Sequence, residues 1–149
     1  MLIDINILPV ISGRHEFLRI CSEVDICIFL SPVQAKTRTL RALWDIGATN
    51  TCIPMELAIK MGIPLREETI MQLCTVTQPS HYCSFYLRFS DKHYVLIRDG
   101  VAVPGSRSKL VIGMDLMRLG TTTIIPNEQN GVRFTFEISE TKFQNGVLQ

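Results

Sequence analysis

The stretch Leu40-Arg-Ala-Leu-Trp-Asp-Ile-Gly-Ala-Thr-Asn-Thr-Cys-Ile53 carries an apolar strand directly into an acidic residue, Asp45, and then into small residues. A carboxylate at the end of a buried strand is energetically costly unless neighbouring groups hydrogen-bond it or share its proton. Gly47 and Ala48 allow the backbone to turn sharply, so main-chain amides can donate to the carboxylate. The alternative is an Asx-turn that closes a strand and leaves Asp45 exposed and inert. The stretch alone leaves both interpretations open.

Outward from this stretch, the hydrophobic pattern predicts strands along most of the chain. Val24 to Phe29 alternates apolar and polar residues, and Thr37 to Trp44 follows it across a Ser31-Pro32 turn as the second arm of a hairpin. Further strands are predicted at Tyr82 to Phe89, His93 to Arg98, Lys109 to Ile112 and Val132 to Ile138. Turn signals at Ser90-Asp91-Lys92 and Asn130-Gly131 precede two of these strands.

Helix signals are few and short. Pro54 to Gly62 has Pro at the expected first position, good helix formers inside and Gly past the end. Asp115 to Leu119, closed by Gly120, predicts one more turn with Asp115 as its N-cap. We therefore predict a mainly β fold with one or two short helices.

The length of 149 residues fits one domain spanning residues 1–149. Residues 1–19, which start with the strand-like MLIDINILPV, are expected to form an N-terminal extension. Residues 141–149 lose the hydrophobic pattern and are expected to fray.

The composition argues against several classes of protein. The net charge of +1 does not provide the concentrated basic face that a phosphate-binding protein needs, and Lys36, Arg38 and Arg41 are best explained as a solvated strand edge. No apolar run approaches the ~20 residues of a membrane span. The first residues lack a basic region and include Asp4, so they are a poor signal peptide. We expect neither a nucleic-acid nor a membrane partner.

The five cysteines are an odd number, which suits reduced thiols in the cytoplasm. Cys74, His81 and Cys83 could bring two sulfurs and an imidazole together. Zinc ligands usually come in tight pairs such as C-x-x-C, and a fourth ligand is not evident. We therefore interpret these residues as strand residues and expect no metal and no cofactor.

Two motifs carry a resemblance to a known family. Leu43-Trp-Asp-Ile-Gly-Ala-Thr-Asn-Thr-Cys-Ile53 resembles the A-L-x-D-[ST]-G-A-x-x-[ST]-x-[IV] signature of retroviral-type (retropepsin-like) aspartic proteases. Pro54 to Leu65 looks like the segment that follows the catalytic loop in bacterial, single-domain members. Leu110-Val-Ile-Gly-Met-Asp-Leu-Met117 is similar to the family's second marker, I-[IL]-G-x-D-x-[LI]. Either motif alone is weak, but the pair in this order is fairly specific and frames residues 24–138.

The resemblance implies a small closed β-barrel and a catalytic role for Asp45. In the family two Asp carboxylates lie about 3 Å apart, share one proton and hold a water between them. This chain offers one such aspartate, because Arg98-Asp99-Gly100 lacks the flanking pattern. The resemblance therefore implies a homodimer with one Asp45 from each subunit, acting on an extended peptide or protein substrate. It also implies an active-site loop of Ile46, Gly47, Ala48 and Thr49, and a structural role for Gly113 and Asp115.

Two departures from the family pattern bear on activity. The family places Thr or Ser after the aspartate, where its hydroxyl bonds across the dimer, whereas this chain has Ile46, which could instead pack against its symmetry mate. The family's flap also has a glycine at its tip. Here Val76, Thr77, Gln78 and Pro79 belong to the expected flap, and Gln78 to His81 occupies the place of the tip without a glycine. His81 is either a solvated turn residue or a residue over the cleft.

Two functional classes therefore stay open. The first is an aspartic endopeptidase, and the second is a dimeric peptide-binding module that has lost efficient catalysis. Asp45, Gly47 and Ala48 favour the first class, whereas Ile46 and the glycine-free flap favour the second. An unrelated small β-barrel, in which Asp45 merely ends a strand, is the remaining alternative.

Overall fold

The computed structural model describes residues 1–8, 10–12, 15–17, 19–27, 37–73, 76–105, 110–145 and 147–148. The strands, in chain order, are β1 (Leu2–Ile7), β2 (Val10–Ser12), β3 (His15–Phe17), β4 (Cys21–Cys27), β5 (Thr37–Trp44), β6 (Cys52–Pro54), β7 (Leu65–Leu73), β8 (Val76–Ser90), β9 (His93–Val103), β10 (Leu110–Ile112), β11 (Thr121–Pro126), β12 (Val132–Glu137), β13 (Phe143–Gln144) and β14 (Val147–Leu148). The helices are α1 (Met55–Met61), α2 (Met114–Met117) and a 3₁₀ turn at Glu140–Lys142.

Six strands close into a barrel. Their hydrogen-bonded order is β9-β6-β10-β5-β4-β8, and β8 also pairs with β9, which completes the ring. Closure leaves these six strands without free edges over their paired lengths. The predicted mainly β fold, a small closed barrel with two short helices, is confirmed.

The barrel is filled by the apolar residues that alternate along its strands. Ile26 and Leu87 are fully buried on neighbouring strands, as period-2 patterning requires of inward positions. A second sheet, in the order β1-β12-β11, covers one end of this core with Phe134 and Phe136. Both rings lie 5.1 Å from the ring of Trp44, centroid to centroid, so the end of β5 is fixed by aromatic packing.

The helix predictions hold with small shifts. Helix α1 begins one residue after Pro54, which is its N-cap, and ends at Gly62 in the left-handed conformation with φ 77°. Glycine suits this C-cap because it has no Cβ to clash there. Helix α2 has Gly113 rather than Asp115 as its N-cap, so the N-cap prediction for Asp115 is wrong.

Several strand boundaries differ from the prediction. Strand β11 carries no clear alternation and was not predicted, yet it pairs with β12 along its whole length. The tail that we expected to fray forms β13 and β14, and β14 pairs with β9 at Tyr94, so the expectation is wrong for the described part of residues 141–149. The predicted Ser31-Pro32 turn and the end of the strand at Phe29 lie outside the described residues.

The predicted first strand is confirmed as β1, which pairs with β12 from Leu2 opposite Glu137 to Ile7 opposite Val132. Within the described ranges, the chain has no helix of the length and apolarity needed to cross a membrane.

Candidate active site

Asp45 is the first residue after β5, and its backbone is tied to the neighbouring parallel strand β10. The Asp45 amide donates to the Ile112 carbonyl over 3.0 Å, and the Asp45 carbonyl accepts from the Ala48 amide over 3.1 Å. These bonds make the backbone turn back at the mouth of the barrel. The side chain is half-buried there, at the end of a strand whose last residue, Trp44, is 4% exposed.

The carboxylate of Asp45 is oriented by the turn that follows it. Its Oδ1 accepts a hydrogen bond of 2.8 Å from the Gly47 amide. This is the hydrogen bond of an Asx-turn. The sequence left an Asx-turn and amide donation to the Asp45 carboxylate as alternatives, and the structure contains both. A Cβ at Gly47 would lie 3.2 Å from that oxygen, which is a tight approach. Because glycine has no Cβ, the carboxylate can keep this position.

Helix α2 clamps the loop behind Asp45. The Met114 amide donates to the Ala48 carbonyl over 2.8 Å, and the Asp115 amide donates to the Thr49 carbonyl over 3.1 Å. Gly113 makes this contact possible, because a Cβ there would lie 2.7 Å from the Asn50 carbonyl oxygen. The two motifs of the sequence thus meet face to face through their backbones.

The Asp115 side chain completes the clamp. It accepts the Thr51 amide at 2.9 Å and the Thr51 hydroxyl at 2.7 Å, and Thr51 is fully buried. The same carboxylate accepts the amide of Leu116 at 2.8 Å. These three donors turn the Asp115 carboxylate toward the loop, so Asp115 holds the loop in shape.

A third link joins the loop to the base of the β7–β8 hairpin. The Asn50 side-chain amide donates to the Asp99 carbonyl over 3.0 Å, and the Asp99 carboxylate accepts from Arg66 over 2.9 Å. The sequence analysis considered Asp99 only as a possible second catalytic aspartate, which its flanking residues argue against. It did not predict this link. The Asn50–Asp99 link extends the parallel pairing of β6 with β9, in which Cys52 lies opposite Val101, and no local pattern reveals that pairing.

Ile46 projects outward from the turn. It is 67% exposed, and Met114 beside it is 39% exposed. A shallow hollow of about 460 Å³ is lined by Ile46, Met114, Met117, Arg118, Gly120 and Thr122. An isoleucine this exposed beside a candidate catalytic carboxylate leaves apolar surface that a partner would cover.

The expected flap is the hairpin of β7 and β8, but its tip is not where the sequence suggested. Pairing runs to Leu73 opposite Val76, so the connection is at residues 74–75, outside the described residues. Val76, Thr77, Gln78 and Pro79 lie on the second arm, and the placement of the tip at Gln78 to His81 is wrong. Pro79 faces Ile70, which is 75% exposed.

The opposite face of the hairpin packs on the barrel. Met71 contacts the apolar cluster of Cys52, Val101 and Val103, and the Gln78 side chain donates to the Pro104 carbonyl over 2.9 Å. The hairpin is therefore held down beside β6, the strand that follows the active-site loop.

His81 is a strand residue and not a turn residue. It lies opposite Glu68, with its Nε2 3.9 Å from that carboxylate, and its Nδ1 is buried with no hydrogen-bond partner among the described residues. The interpretation as a solvated turn histidine is therefore wrong.

The buried thiols of Cys52 and Cys83 are unreactive at neutral pH. Burial raises the pKa of Cys52 to about 12 and that of Cys83 to about 11, so both stay protonated at neutral pH. The part of the chain that the structure describes contains no group of three His, Cys, Asp or Glu side chains placed to hold a metal. Cys74 lies outside that part.

Comparison with known proteins finds similarity among solved structures. No family model and no curated protein matches this chain. Among solved structures, it is similar to the crystal structure of a retropepsin-like aspartic protease from Rickettsia conorii. The TM-score is 0.53 and the sequence identity 12%, over 93% of this chain and 95% of that chain. At this identity the similarity shows a shared fold.

Proposed function

We propose that this protein is an aspartic endopeptidase that acts as a homodimer, with one Asp45 from each subunit. The observation that carries the proposal is the Asp45 carboxylate, held by the Gly47 amide at the end of a buried strand. The retropepsin-like fold of the matched protease supports it. The contacts of Asp115 support it further, because its carboxylate accepts from Thr51 and Leu116 and faces the loop, which leaves a second copy as the proposed source of the second acid.

The proposed chemistry needs no cofactor. Two Asp45 carboxylates close together cannot both ionise, so the pair holds one proton between them. The ionised carboxylate takes a proton from a water molecule, whose oxygen attacks the peptide carbonyl carbon while the protonated partner donates to the carbonyl oxygen. Collapse of the tetrahedral diol breaks the C–N bond: the carboxyl that took the proton from water gives it to the nitrogen, and the other carboxylate takes a proton from a diol hydroxyl, which restores the pair with one proton. Because the pair titrates as a unit, we expect activity to peak at mildly acidic pH.

A peptide or protein substrate would lie extended over the two carboxylates and hydrogen-bond as an added strand. The hairpin of β7 and β8 is the element proposed to cover it. The expected cytoplasmic location belongs to the same proposal, and Cys21, Cys27, Cys52 and Cys83 are all free thiols.

A second candidate is a dimeric peptide-binding module with little catalysis. Ile46 favours it, because isoleucine cannot form the hydroxyl hydrogen bond that holds the two loops in register in the family. An error of about 1 Å in the placement of catalytic groups can cost ~100-fold in rate.

The test combines solution mass with peptide cleavage from pH 4 to 7. We expect a dimer whose cleavage is lost in Asp45→Asn and retained in Asp91→Asn, a matched change in the exposed β8–β9 turn. A pepstatin-like transition-state mimic should inhibit the wild type. A dimer without cleavage supports the binding module, and a monomer without cleavage overturns both functions.

A further inference from the structure

The turn between β8 and β9 carries a chain of hydrogen bonds that the proposed function does not use. Ser90 and His93 lie opposite each other across the turn, and the Ser90 Oγ is 2.7 Å from the His93 Nδ1. On the other side of the ring, the His93 Nε2 is 2.8 Å from the Glu140 carboxylate. A hydroxyl, a base beside it and a third group that orients the base form the arrangement that activates serine in hydrolases.

The Glu140 carboxylate determines which ring nitrogen of His93 carries the proton. Hydrogen bonds from the Met1 amine and from His93 lower the pKa of Glu140 to about 2, so Glu140 is ionised at neutral pH. An ionised carboxylate only accepts hydrogen bonds, so in neutral His93 the Nε2 carries the proton and the Nδ1 has a lone pair. The Ser90 hydroxyl then donates to Nδ1, which is the direction that a general base requires. Relative to the common serine triad, the two ring nitrogens have exchanged places.

Neighbouring groups hold the ring of His93 and the oxygen of Ser90 in position. The His93 side chain is 16% exposed, and the ring of Phe143 packs against it edge-on at 4.8 Å, centroid to centroid. Phe143 begins β13, and β14 pairs with β9 at Tyr94, the residue after His93. The Lys92 amide donates to the Ser90 Oγ over 3.2 Å, so it stabilises negative charge on this oxygen when the proton leaves.

Ser90 also lines a hollow of about 300 Å³ between the ends of β4, β5 and β8. The wall of this hollow contains an ion pair between Arg88 and Asp25. The other charged residues that the structure places in the wall, Glu23 and Asp91, are acidic. The hollow therefore has room for a short acyl group, and its charge disfavours an anionic one.

We propose that Ser90 is a nucleophile that cleaves esters of short, uncharged acyl groups, with His93 as its base and Glu140 as a positioning residue. The Ser90 Oγ attacks the ester carbonyl carbon as its proton passes to the His93 Nδ1. The bond to the alcohol oxygen then breaks, and the alcohol leaves with that proton. A water molecule, deprotonated by the same nitrogen, attacks the acyl group, and the acid leaves as the proton returns to Ser90. The site uses neither Asp45 nor a second copy of the chain.

Covalent labelling of the wild type tests the nucleophile without any substitution. The probe is diisopropyl fluorophosphate, whose phosphorus bonds to a serine oxygen as fluoride leaves, and peptide mapping locates the adduct. Ser84 is the internal control, because it is an exposed serine of the same strand whose hydroxyl donates to the Arg98 carbonyl. A positioned base contributes at least ~100-fold, so Ser90 should react at least ~100-fold faster than Ser84. No adduct at Ser90, or equal rates at the two serines, overturns the proposal.

The cleavage of p-nitrophenyl acetate tests the reaction in variants with unchanged circular dichroism. Ser90→Ala should abolish the release of p-nitrophenolate above the rate in buffer, whereas Ser84→Ala should not change it. His93→Gln keeps a polar side chain but removes the base, and it should slow the release at least ~100-fold. Equal release by Ser90→Ala and the wild type overturns the proposal.

Glu140→Gln tests the positioning role through the pH profile of the same reaction. Glutamine keeps an acceptor for His93 but removes the charge that favours the imidazolium, so the profile should move to lower pH and the release should slow about 10-fold. The Met1 amine loses its counter-charge and acts in the same direction, whereas Asp91 and Lys92 in the turn are unchanged. A slower release with an unmoved pH profile overturns the role of Glu140.

Asp45→Asn separates this site from the proposed protease. It should lose peptide cleavage and keep ester cleavage, whereas Ser90→Ala should do the reverse. Loss of ester cleavage in Asp45→Asn assigns that reaction to the aspartate pair and overturns the Ser90 site. Failure of peptide cleavage in the wild type overturns the protease alone.

Discussion

Thr51 and Asp115 lie 64 positions apart in the sequence, yet the Asp115 carboxylate accepts both the amide and the hydroxyl of Thr51. The contact joins the two motifs that suggested an active site. Because Thr51 is fully buried, its donors have no water to replace the carboxylate. The shape of the Asp45 loop therefore depends on a residue that takes no part in the proposed chemistry.

Replacing this carboxylate should destabilise the fold. Asp115→Ala leaves the amide and the hydroxyl of Thr51 unpaired, and each unpaired buried donor costs about 1–3 kcal/mol. Thr51→Val keeps the Thr51 amide bonded to Asp115 and removes the hydroxyl, to which the Gly113 amide also donates, so it leaves fewer donors unpaired and should lower the free energy of unfolding by less. Denaturant unfolding measures both changes, with Asp91→Ala as an exposed control. Equal stability of Asp115→Ala and the control would contradict the clamp.

Adding a methyl group at Gly113 should disturb the loop more than adding one at Gly62. A Cβ at Gly113 would lie 2.6 Å from the Asn50 backbone. A Cβ at Gly62 would have no atom within 4 Å, so a substitution there is disfavoured by the φ of 77° alone. We expect Gly113→Ala to cost at least ~2 kcal/mol and Gly62→Ala about 1 kcal/mol. Thermal unfolding compares the two. Cleavage activity should fall in Gly113→Ala alone.

On the proposed function, a hydroxyl introduced beside Asp45 should increase catalysis. Ile46→Thr supplies the side chain with which the family bonds the two loops together, and a better-placed pair of carboxylates reacts faster. We expect kcat to rise by ~10-fold or more, measured on a peptide at pH 5. Ile46→Val, which keeps an apolar β-branched side chain, is the matched control. A rise in both variants would point to pocket size and away from the hydroxyl.

The acid sensitivity of the barrel should depend on Asp25. Partial burial raises the pKa of this carboxyl, but hydrogen bonds from Thr39 and Arg88 outweigh it, and the net pKa lies below the usual 3.8. A depressed carboxyl pKa adds stability that is present above pH ~4 and is lost as the pH falls further. Asp25→Asn should therefore unfold more easily at pH 7 and show a shallower loss below pH ~4. Unfolding midpoints between pH 2 and 7 measure this.

The sequence predicted those features that depend on residues close together in the chain. Pro54 and Gly62 marked the ends of α1, because caps act within one turn of a helix. The turn at Asp45 was visible for the same reason. Strand β11 was missed since three threonines and two isoleucines show no alternation, and its pairing with β12 supplies what the pattern lacks.

The errors in the hairpin have a tertiary cause. Pro79 suggested a turn, but among the described residues β8 pairs at that point with β7 alone, and such an edge tolerates proline. The Thr51–Asp115 contact could not be derived from spacing, because it depends on how β10 lies beside β5 and β6. The sequence analysis named Gly47, Gly113 and Asp115 around Asp45, but not Thr51, the residue that the Asp115 carboxylate binds.

Trp44 is the one tryptophan of the sequence, and it immediately precedes Asp45. Its indole is 4% exposed, lies between Phe134 and Phe136, and donates to Ser22 over 2.9 Å. The protein thus contains a single tryptophan fluorophore, at the base of the candidate site. Its emission wavelength and quenching report on this strand without any label, so unfolding and inhibitor binding are both open to optical titration.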